Sequence, residues 1–458
     1  MRTLESHKQI VRQIQPMGVT GRVSAVRGLT VSVVDFPAPI GASCRILHGG
    51  QGIDARVIGF AGAETLIMPL GTTTGICRRD RVEFTSAEET VALGPDMLGR
   101  VLDGFARPID GGPAIRTAGR VPIWPEPMPA MRRRRITEPL TTGVRAIDAA
   151  LAVGRGQRMS ILSGPGVGKT VLLGMIGRST AADVAVVALI GERGAEARDF
   201  MDRQMDSDQL SRAVVVVSTS AEPPLVRVQA CAVATAVAEY FRDTGANVLL
   251  LVDSLTRLAT AQRQIGLAAG EPPATRGFTP SVFSLLPGLL ERCGRTDTGS
   301  ITGFYTVLVE GNDMADPVAD AVRAVTDGHI WLSRDLANRG HRPAVDMLHS
   351  VSRVMSDVVD AEHLAAAREI QRLLAIYSDI EELVNLGAYQ RGASAEYDLV
   401  IAVMPMIRAF LAQRSDERTP GEQTRTELLD LHRRINEIRQ EIDSRRAVGA
   451  IDPTGVTT

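Results

Sequence analysis

Hydrophobic and polar positions fall into segments of different texture along the chain. From residue 19 to about 91 the apolar residues come in short β-branched runs between glycines, as in Val19-Thr20-Gly21-Arg22-Val23, Leu29-Thr30-Val31-Ser32-Val33-Val34 and Ala55-Arg56-Val57-Ile58-Gly59-Phe60. This spacing of strands and turns predicts a small barrel or sandwich. From about 140 to 345 longer apolar runs, Val184–Ile190, Val214–Val217, Val248–Val252 and Thr302–Val309, alternate with helical segments. That alternation predicts a parallel sheet covered by helices on both faces. Beyond about 350 the chain reads as helical. Near its end Leu428, Leu431, Ile435, Ile438 and Ile442 recur at spacings of 3, 4, 3 and 4. The pattern fits a coiled-coil seam of about two heptads or a helix packed on its own domain. Residues 1–15 place Leu4, Ile10, Val11 and Ile14 among Arg2, Lys8 and Arg12. A short basic amphipathic helix suited to a partner or a membrane surface gives this pattern, and so does a frayed tail. The proline-rich crossing from Pro122 to Pro129 and the run Arg132–Arg135 read as a solvated linker.

Composition narrows the function classes. At 458 residues, with 44% hydrophobic and 23% charged, the chain has ordinary globular composition and room for about three domains. A net charge of −2 provides no global basic field, and aromatics at 4% leave few platforms for stacking bases. Both argue against a nucleic-acid partner. Cys44, Cys77, Cys231 and Cys293 are scattered, without a CxxC pair, which fits a reducing compartment. No secretion signal and no run of ~18 apolar residues is visible. The expectation is a soluble cytoplasmic protein with at most peripheral membrane contact.

The chemistry concentrates in Ser163-Gly164-Pro165-Gly166-Val167-Gly168-Lys169-Thr170, between an apolar strand-like run (Met159–Leu162) and a helical one (Val171–Ile176). A glycine-rich turn of this kind lets the backbone of Gly164, Pro165, Gly166, Val167 and Gly168 and the start of a helix surround phosphates. Lys169 would reach the β- and γ-phosphates, and Thr170 would offer its hydroxyl to Mg²⁺. Ser163 departs from the motif, which asks for glycine there. Asp253 ends the apolar run Asn247–Val252, where a carboxylate beside a phosphate loop can hold the water shell of Mg²⁺. Glu192 follows the run Val184–Ile190. Ligands of open parallel sheets bind outside the carboxyl ends of the strands, so Glu192 falls near the γ-phosphate, able to orient an attacking water. Spacing alone also fits a surface glutamate in a strand-end turn.

Beyond these residues, Gly143 to Thr170, Gly191-Glu192-Arg193, Leu250-Leu251-Val252-Asp253-Ser254-Leu255-Thr256-Arg257, Gly270-Glu271-Pro272-Pro273-Ala274-Thr275-Arg276-Gly277 and Val351-Ser352-Arg353 resemble the type III export ATPases. These are the flagellar export ATPase and its injectisome relatives, similar in turn to the catalytic β subunit of rotary ATP synthases. The resemblance covers roughly residues 20–415. It implies an α/β fold, a RecA-like P-loop parallel sheet core with an N-terminal small β-barrel and a C-terminal helical domain. The domains would then be a tail at 1–18, the barrel at 19–92, the ATPase domain at 93–345 and the helical domain with its tail at 346–458.

The activity implied is Mg²⁺-dependent hydrolysis of ATP by a homohexameric ring that serves flagellar protein export, with an injectisome as the alternative. A nucleic-acid translocase ring and a non-catalytic ring subunit fit less well. By resemblance, Glu192 is the catalytic carboxylate with Arg193 beside it. Glu196 holds the water shell of the metal, and Arg257 supports the site. Arg353 enters a neighbouring subunit's site as an arginine finger. The resemblance also places Tyr377 near the adenine. Where the synthase β subunit sets a tyrosine against adenine, this chain has Arg342, and Ala195 replaces a basic residue. The partners implied are a stator-like regulatory protein on the N-terminal helix, a central stalk protein in the pore, the export gate and chaperone–substrate complexes. The location implied is peripheral, at the inner face of the cytoplasmic membrane. The segment Glu271–Gly277 would face the pore.

Overall fold

The computed structural model describes residues 18–309 and 315–450. The amphipathic pattern of residues 1–15 lies outside them. Six antiparallel strands close a barrel: β1 (Thr20–Arg27), β2 (Thr30–Val34), β3 (Ser43–His48), β4 (Gln51–Ala61), β5 (Glu64–Pro69) and β6 (Arg81–Ser86), in the order β1-β2-β5-β4-β3-β6. Alternation directs Val23, Val31, Val33, Ile46, Val57, Ile67 and Val82 into one small core. Closure removes the exposed edges that short strands would otherwise present.

The central sheet is built from β7 (Arg100–Leu102), β8 (Arg158–Ser163), β9 (Val184–Glu192), β10 (Ala213–Thr219), β11 (Asn247–Asp253), β12 (Ser300–Leu308), β13 (Gly328–Leu332) and β14 (Val345–Ser352). Their order is β14-β13-β8-β12-β11-β9-β10-β7, with β14 antiparallel to β13 and the other neighbours parallel. β9 and β11 are buried almost throughout, which is why they read as continuous apolar runs. Helices α1 (Lys169–Ser179), α2 (Gly194–Gln204), α3 (Pro224–Asp243) and α4 (Leu255–Ala269) follow β8, β9, β10 and β11. The sheet continues to Ser352, past the expected boundary at 345, because β14 turns back and completes the edge beside β13.

Three long helices, α5 (Ala361–Asn385), α6 (Ala395–Leu411) and α7 (Gly421–Ala450), form the C-terminal unit. Leu428 and Ile435 of the apolar seam are fully buried in the core that α5 and α6 share with the sheet, and Leu431, Ile438 and Ile442 pack against it. The seam is therefore covered by the protein's own helices. The Arg132–Arg135 segment is tied down as well: Arg133 donates to the Cys293 carbonyl at 3.0 Å, and Arg134 pairs with Asp297. Among the described residues no helix is long and apolar enough to cross a membrane.

Candidate active site

The site forms at the carboxyl ends of three strands. The segment Gly164–Gly168 joins β8 to α1. Gly166 (φ 76°) and Gly168 (φ 107°) adopt left-handed backbone, which glycine reaches without strain. Ser163 ends β8 as a strand residue and is absent from the left-handed positions, so serine here needs no unusual φ. Helix α1 starts at Lys169 without a side-chain cap. Its first-turn N–H groups therefore have no intrahelical acceptor, and they share the loop's concave side with the positive end of the helix dipole.

The neighbouring strands deliver the acids. β9 and β11 are paired in register Leu189↔Asp253, so Glu192 stands just beyond the level of Asp253 on the adjacent strand. Lys169 forms an ion pair with Asp253, and its Nζ lies 3.9 Å from Glu192 Oε1. Asp253 also accepts a hydrogen bond from Thr306 Oγ1 at 2.8 Å. Gly191 permits this approach: its φ is 71°, and a Cβ there would lie 2.8 Å from Cβ of Arg257. Arg257 is set at the start of α4, where its N–H donates to Ser254 Oγ at 3.4 Å.

Charge within the cluster is unbalanced. One ammonium faces two carboxylates whose side chains are only 15% (Glu192) and 4% (Asp253) exposed. Burial, and then the negative charge of Asp253, push the Glu192 carboxyl up to about 7, with Lys169 opposing the shift. Glu192 Oε1 is buried and accepts no hydrogen bond among the described residues. Thr170, Glu192, Glu196 and Asp253 line one cavity of about 270 Å³. A hydroxyl and three carboxyl groups around such a space suit a hard, hydrated divalent cation such as Mg²⁺.

The other expected site residues are spread more widely. Arg193 is 78% exposed and paired with Glu196, which lines the cavity. Arg342 brings Nη1 within 3.8 Å of the Cβ position of Gly168. With Val167, Gly168, Val171 and residues 412–417 it lines a second cavity, of about 610 Å³. The segment from Ala412 to Glu417 is the part that sequence reading missed. It is held there because Gln413 N–H donates to the Arg342 carbonyl at 2.8 Å, while its side-chain amide donates to the Gly143 carbonyl at 2.9 Å. No local motif announces it. Tyr377 lies on α5 with the Arg408 guanidinium 4.8 Å over its ring. It lines an adjoining cavity that shares Gly340 and Ala412 with the second one but does not include Gly168.

Arg353 is not brought to this cluster. Its N–H donates to the Asp327 carbonyl at 2.9 Å, and the Asp327 N–H donates to that of Arg158 at 2.8 Å. That places Arg353 at the first residue of β8, a strand length from the phosphate loop, about 16 Å at ~3.3 Å per residue. Its side chain is exposed and donates to the Thr326 carbonyl at 3.3 Å.

Residues 143–352 match the nucleotide-binding domain of the ATP synthase alpha/beta family, and residues 359–430 match the T3SS EscN ATPase C-terminal domain. A flagellum-specific ATP synthase of Treponema pallidum is 48% identical over 420 residues, covering 91% of this chain and 94% of its own. The assembled ATPase EscN of the enteropathogenic E. coli type III secretion system superposes with a TM-score of 0.87 at 41% identity, over 90% of this chain and all of that one. The same ATPase in complex with its central stalk EscO gives 0.83 at 40% identity, again over 90% of this chain and 100% of that one.

Proposed function

The chain belongs to the ATPase family of type III protein export, and from that premise we propose that it hydrolyses ATP, with Mg²⁺, as a homohexameric ring serving the flagellar export apparatus. The observation that carries this reading is the buried Glu192 carboxyl, its Oε1 without a hydrogen bond among the described residues, beside Lys169 and Asp253 at the mouth of the phosphate loop.

Each residue does a definable part of the work. The loop Gly164–Gly168 and the start of α1 bind the phosphates through backbone N–H groups, and Lys169 adds a point charge to the β- and γ-oxygens. Arrival of a polyanion draws Lys169 away from Asp253, leaving that carboxylate, with the Thr170 hydroxyl, to hold the metal and its water. Mg²⁺ there supplies charge neutralisation for the transferring phosphoryl group. Glu192 accepts a hydrogen bond from a water, orients it in line with the terminal phosphorus and takes up its proton. Low local polarity makes that carboxyl a stronger base than an exposed one. Glu196 steadies the surrounding water, and Arg193 steadies Glu196. The cavity bounded by Arg342 and residues 412–417 accepts the base, with the Arg342 guanidinium able to stack on its ring. Tyr377 stands behind that wall.

Arg353 acts in a neighbouring copy. Its position at the far end of the strands, a strand length from its own phosphate loop, supports that role. An arginine delivered to phosphoryl transfer in this way contributes ~10³–10⁵ in kcat. A protein so arranged turns over slowly until the ring closes. In this reading the pore receives a central stalk protein past Glu271–Gly277, the N-terminal segment meets a stator-like regulator at the membrane, and chaperone–substrate complexes and the export gate are served by the helical end. The relatives divide between flagellar and type III secretion systems, so an injectisome ring is the second reading.

The test is Glu192→Gln. It should retain ATP binding within about threefold and lose at least ~10²–10³ in kcat, the usual weight of a positioned base. Hydrolysis at the parental rate would remove Glu192 from the mechanism.

A further inference from the structure

A second cluster of metal-ligating side chains lies on the barrel, away from the phosphate loop. His48 ends β3, and Cys77 and Asp80 lie in the segment that leads from β5 into β6. One ligand atom from each of the three falls within 4.8 Å of the other two. We propose that His48, Cys77 and Asp80 form a binding site for a thiophilic divalent cation of the zinc class, clamping this segment to the end of β3.

The donor set points to that class of ion. A thiolate, an imidazole and a carboxylate together favour Zn²⁺ over Mg²⁺ or Ca²⁺, which prefer oxygen alone. Two anionic ligands balance the charge of a divalent ion, and three protein ligands leave a fourth tetrahedral position for water. The geometry is close to what coordination needs. His48 Nδ1 and Asp80 Oδ2 are 2.9 Å apart, sharing a proton that the ion would displace. Ligand atoms around tetrahedral zinc sit about 3.3–3.7 Å apart, as follows from its bond lengths. The pair therefore opens by a few tenths of an ångström, and the Cys77 side chain closes by at most roughly 1 Å.

The segment is already held in shape without an ion. Cys77 N–H donates to Asp80 Oδ2 at 2.7 Å, which aims the carboxylate. Asp80 N–H donates to the Cys77 carbonyl at 3.2 Å, closing a turn through Arg79 at φ 73°. Two bonds to β1, Arg79 N–H to the Val23 carbonyl and Val23 N–H to the Asp80 carbonyl, at 2.8 and 2.9 Å, fasten that turn to the barrel wall. Such support for ligands preserves metal affinity. Cys77 is also the exposed thiol among the described residues; Cys44, Cys231 and Cys293 are buried. Loading would release the Cys77 proton to solvent, while the imidazole proton facing Asp80 moves from Nδ1 to Nε2 and stays on the ring.

The experiment is a Co²⁺ titration of the full-length, chelator-stripped, nucleotide-free protein. The expected result is a thiolate-to-cobalt charge-transfer band with the intense visible bands of a tetrahedral centre, both displaced by Zn²⁺. The band should vanish in Cys77→Ser, and at Co²⁺ concentrations that saturate the parent it should be absent from His48→Ala as well. In parallel, Zn²⁺ should slow alkylation of Cys77 at least tenfold in the parent and leave it unchanged in His48→Ala. The phosphate-loop site holds no thiol among its lining residues, so it adds nothing to the band. Absence of a thiolate band, its survival in Cys77→Ser, or zinc protection that persists in His48→Ala would each overturn the site.

Discussion

The two ends of the central sheet use the same kinds of charged residue to opposite effect. At the amino ends, Arg158 donates through Nε and its backbone N–H to Asp327 Oδ2, both at 3.0 Å, and through Nη2 to Oδ1 at 2.9 Å; Nη1 reaches Glu291 Oε1 at 2.6 Å. Arg133 supplies a second cation, 2.9 Å from Glu291, so two guanidinium groups meet two hydrogen-bonded carboxylates, as ions withdrawn from water must be to avoid a desolvation penalty. At the carboxyl ends, one lysine faces two buried carboxylates, and Glu192 keeps an oxygen without a hydrogen bond among the described residues. One end is complete in the free protein. The other would be complete only with a bound metal ion, which would bring the missing positive charge, and a water for Glu192. Strain of this sort marks working sites.

Breaking the contrast should give effects of descending size. Arg353→Ala, at the amino end, should lose ~10³–10⁵ in kcat with nucleotide affinity little changed, because its target is in another copy. Mixed 1:1 with Lys169→Ala, it should recover roughly a quarter of the parental rate. A working site needs the lysine of one variant beside the arginine of the other, which random assembly supplies at about that frequency. No recovery at any protein concentration would put Arg353 outside the shared site. Next in size, Asp327→Ala should destabilise the fold by about 2–3 kcal/mol, read by urea unfolding, because it strands Arg158 in a half-buried position.

The smallest effect has the opposite sign. Glu192 has a folded-state pKa of about 7, above its unfolded value of 4.5. Its folded form therefore keeps a proton that the unfolded chain has already released, so stability is full below about pH 4.5 and declines as pH rises through about 7. Glu192→Gln removes that decline. The nucleotide-free variant should be more stable than the parent by on the order of 2 kcal/mol at pH 8, discounted for partial exposure, and equal to it near pH 4. A variant less stable than the parent at pH 8 would mean that the carboxylate is well accommodated in the free protein.

The same contrast explains what could be read in advance. β9 and β11 were visible as apolar runs because a strand covered on both faces has few polar positions. Gly166, Gly168, Lys169 and Thr170 were visible because phosphate binding by backbone is a local device, written into consecutive residues. The Ala412–Glu417 wall beside Arg342 was not visible, since nothing in those residues names the loop they meet. The seam from Leu428 to Ile442 was ambiguous for a related reason. A helix stripe shows that something covers it, not whether the cover is another chain or, as here, α5 and α6. Tyr377, expected at the adenine, stacks under Arg408 and lines the adjoining cavity.

By itself, the order of residues determined a small β-rich unit, the alternating strands and helices, and the chemistry of the phosphate loop, because each arises from periodicity or from neighbours in the chain; that the β-rich unit closes as a barrel rather than a sandwich was decided by strand pairing. Only the tertiary structure decided which acids face Lys169, how far they are desolvated, and that Arg353 stands a strand length away. Those facts depend on strand order and register, which bring together residues dozens of positions apart and set the local polarity on which their protonation depends.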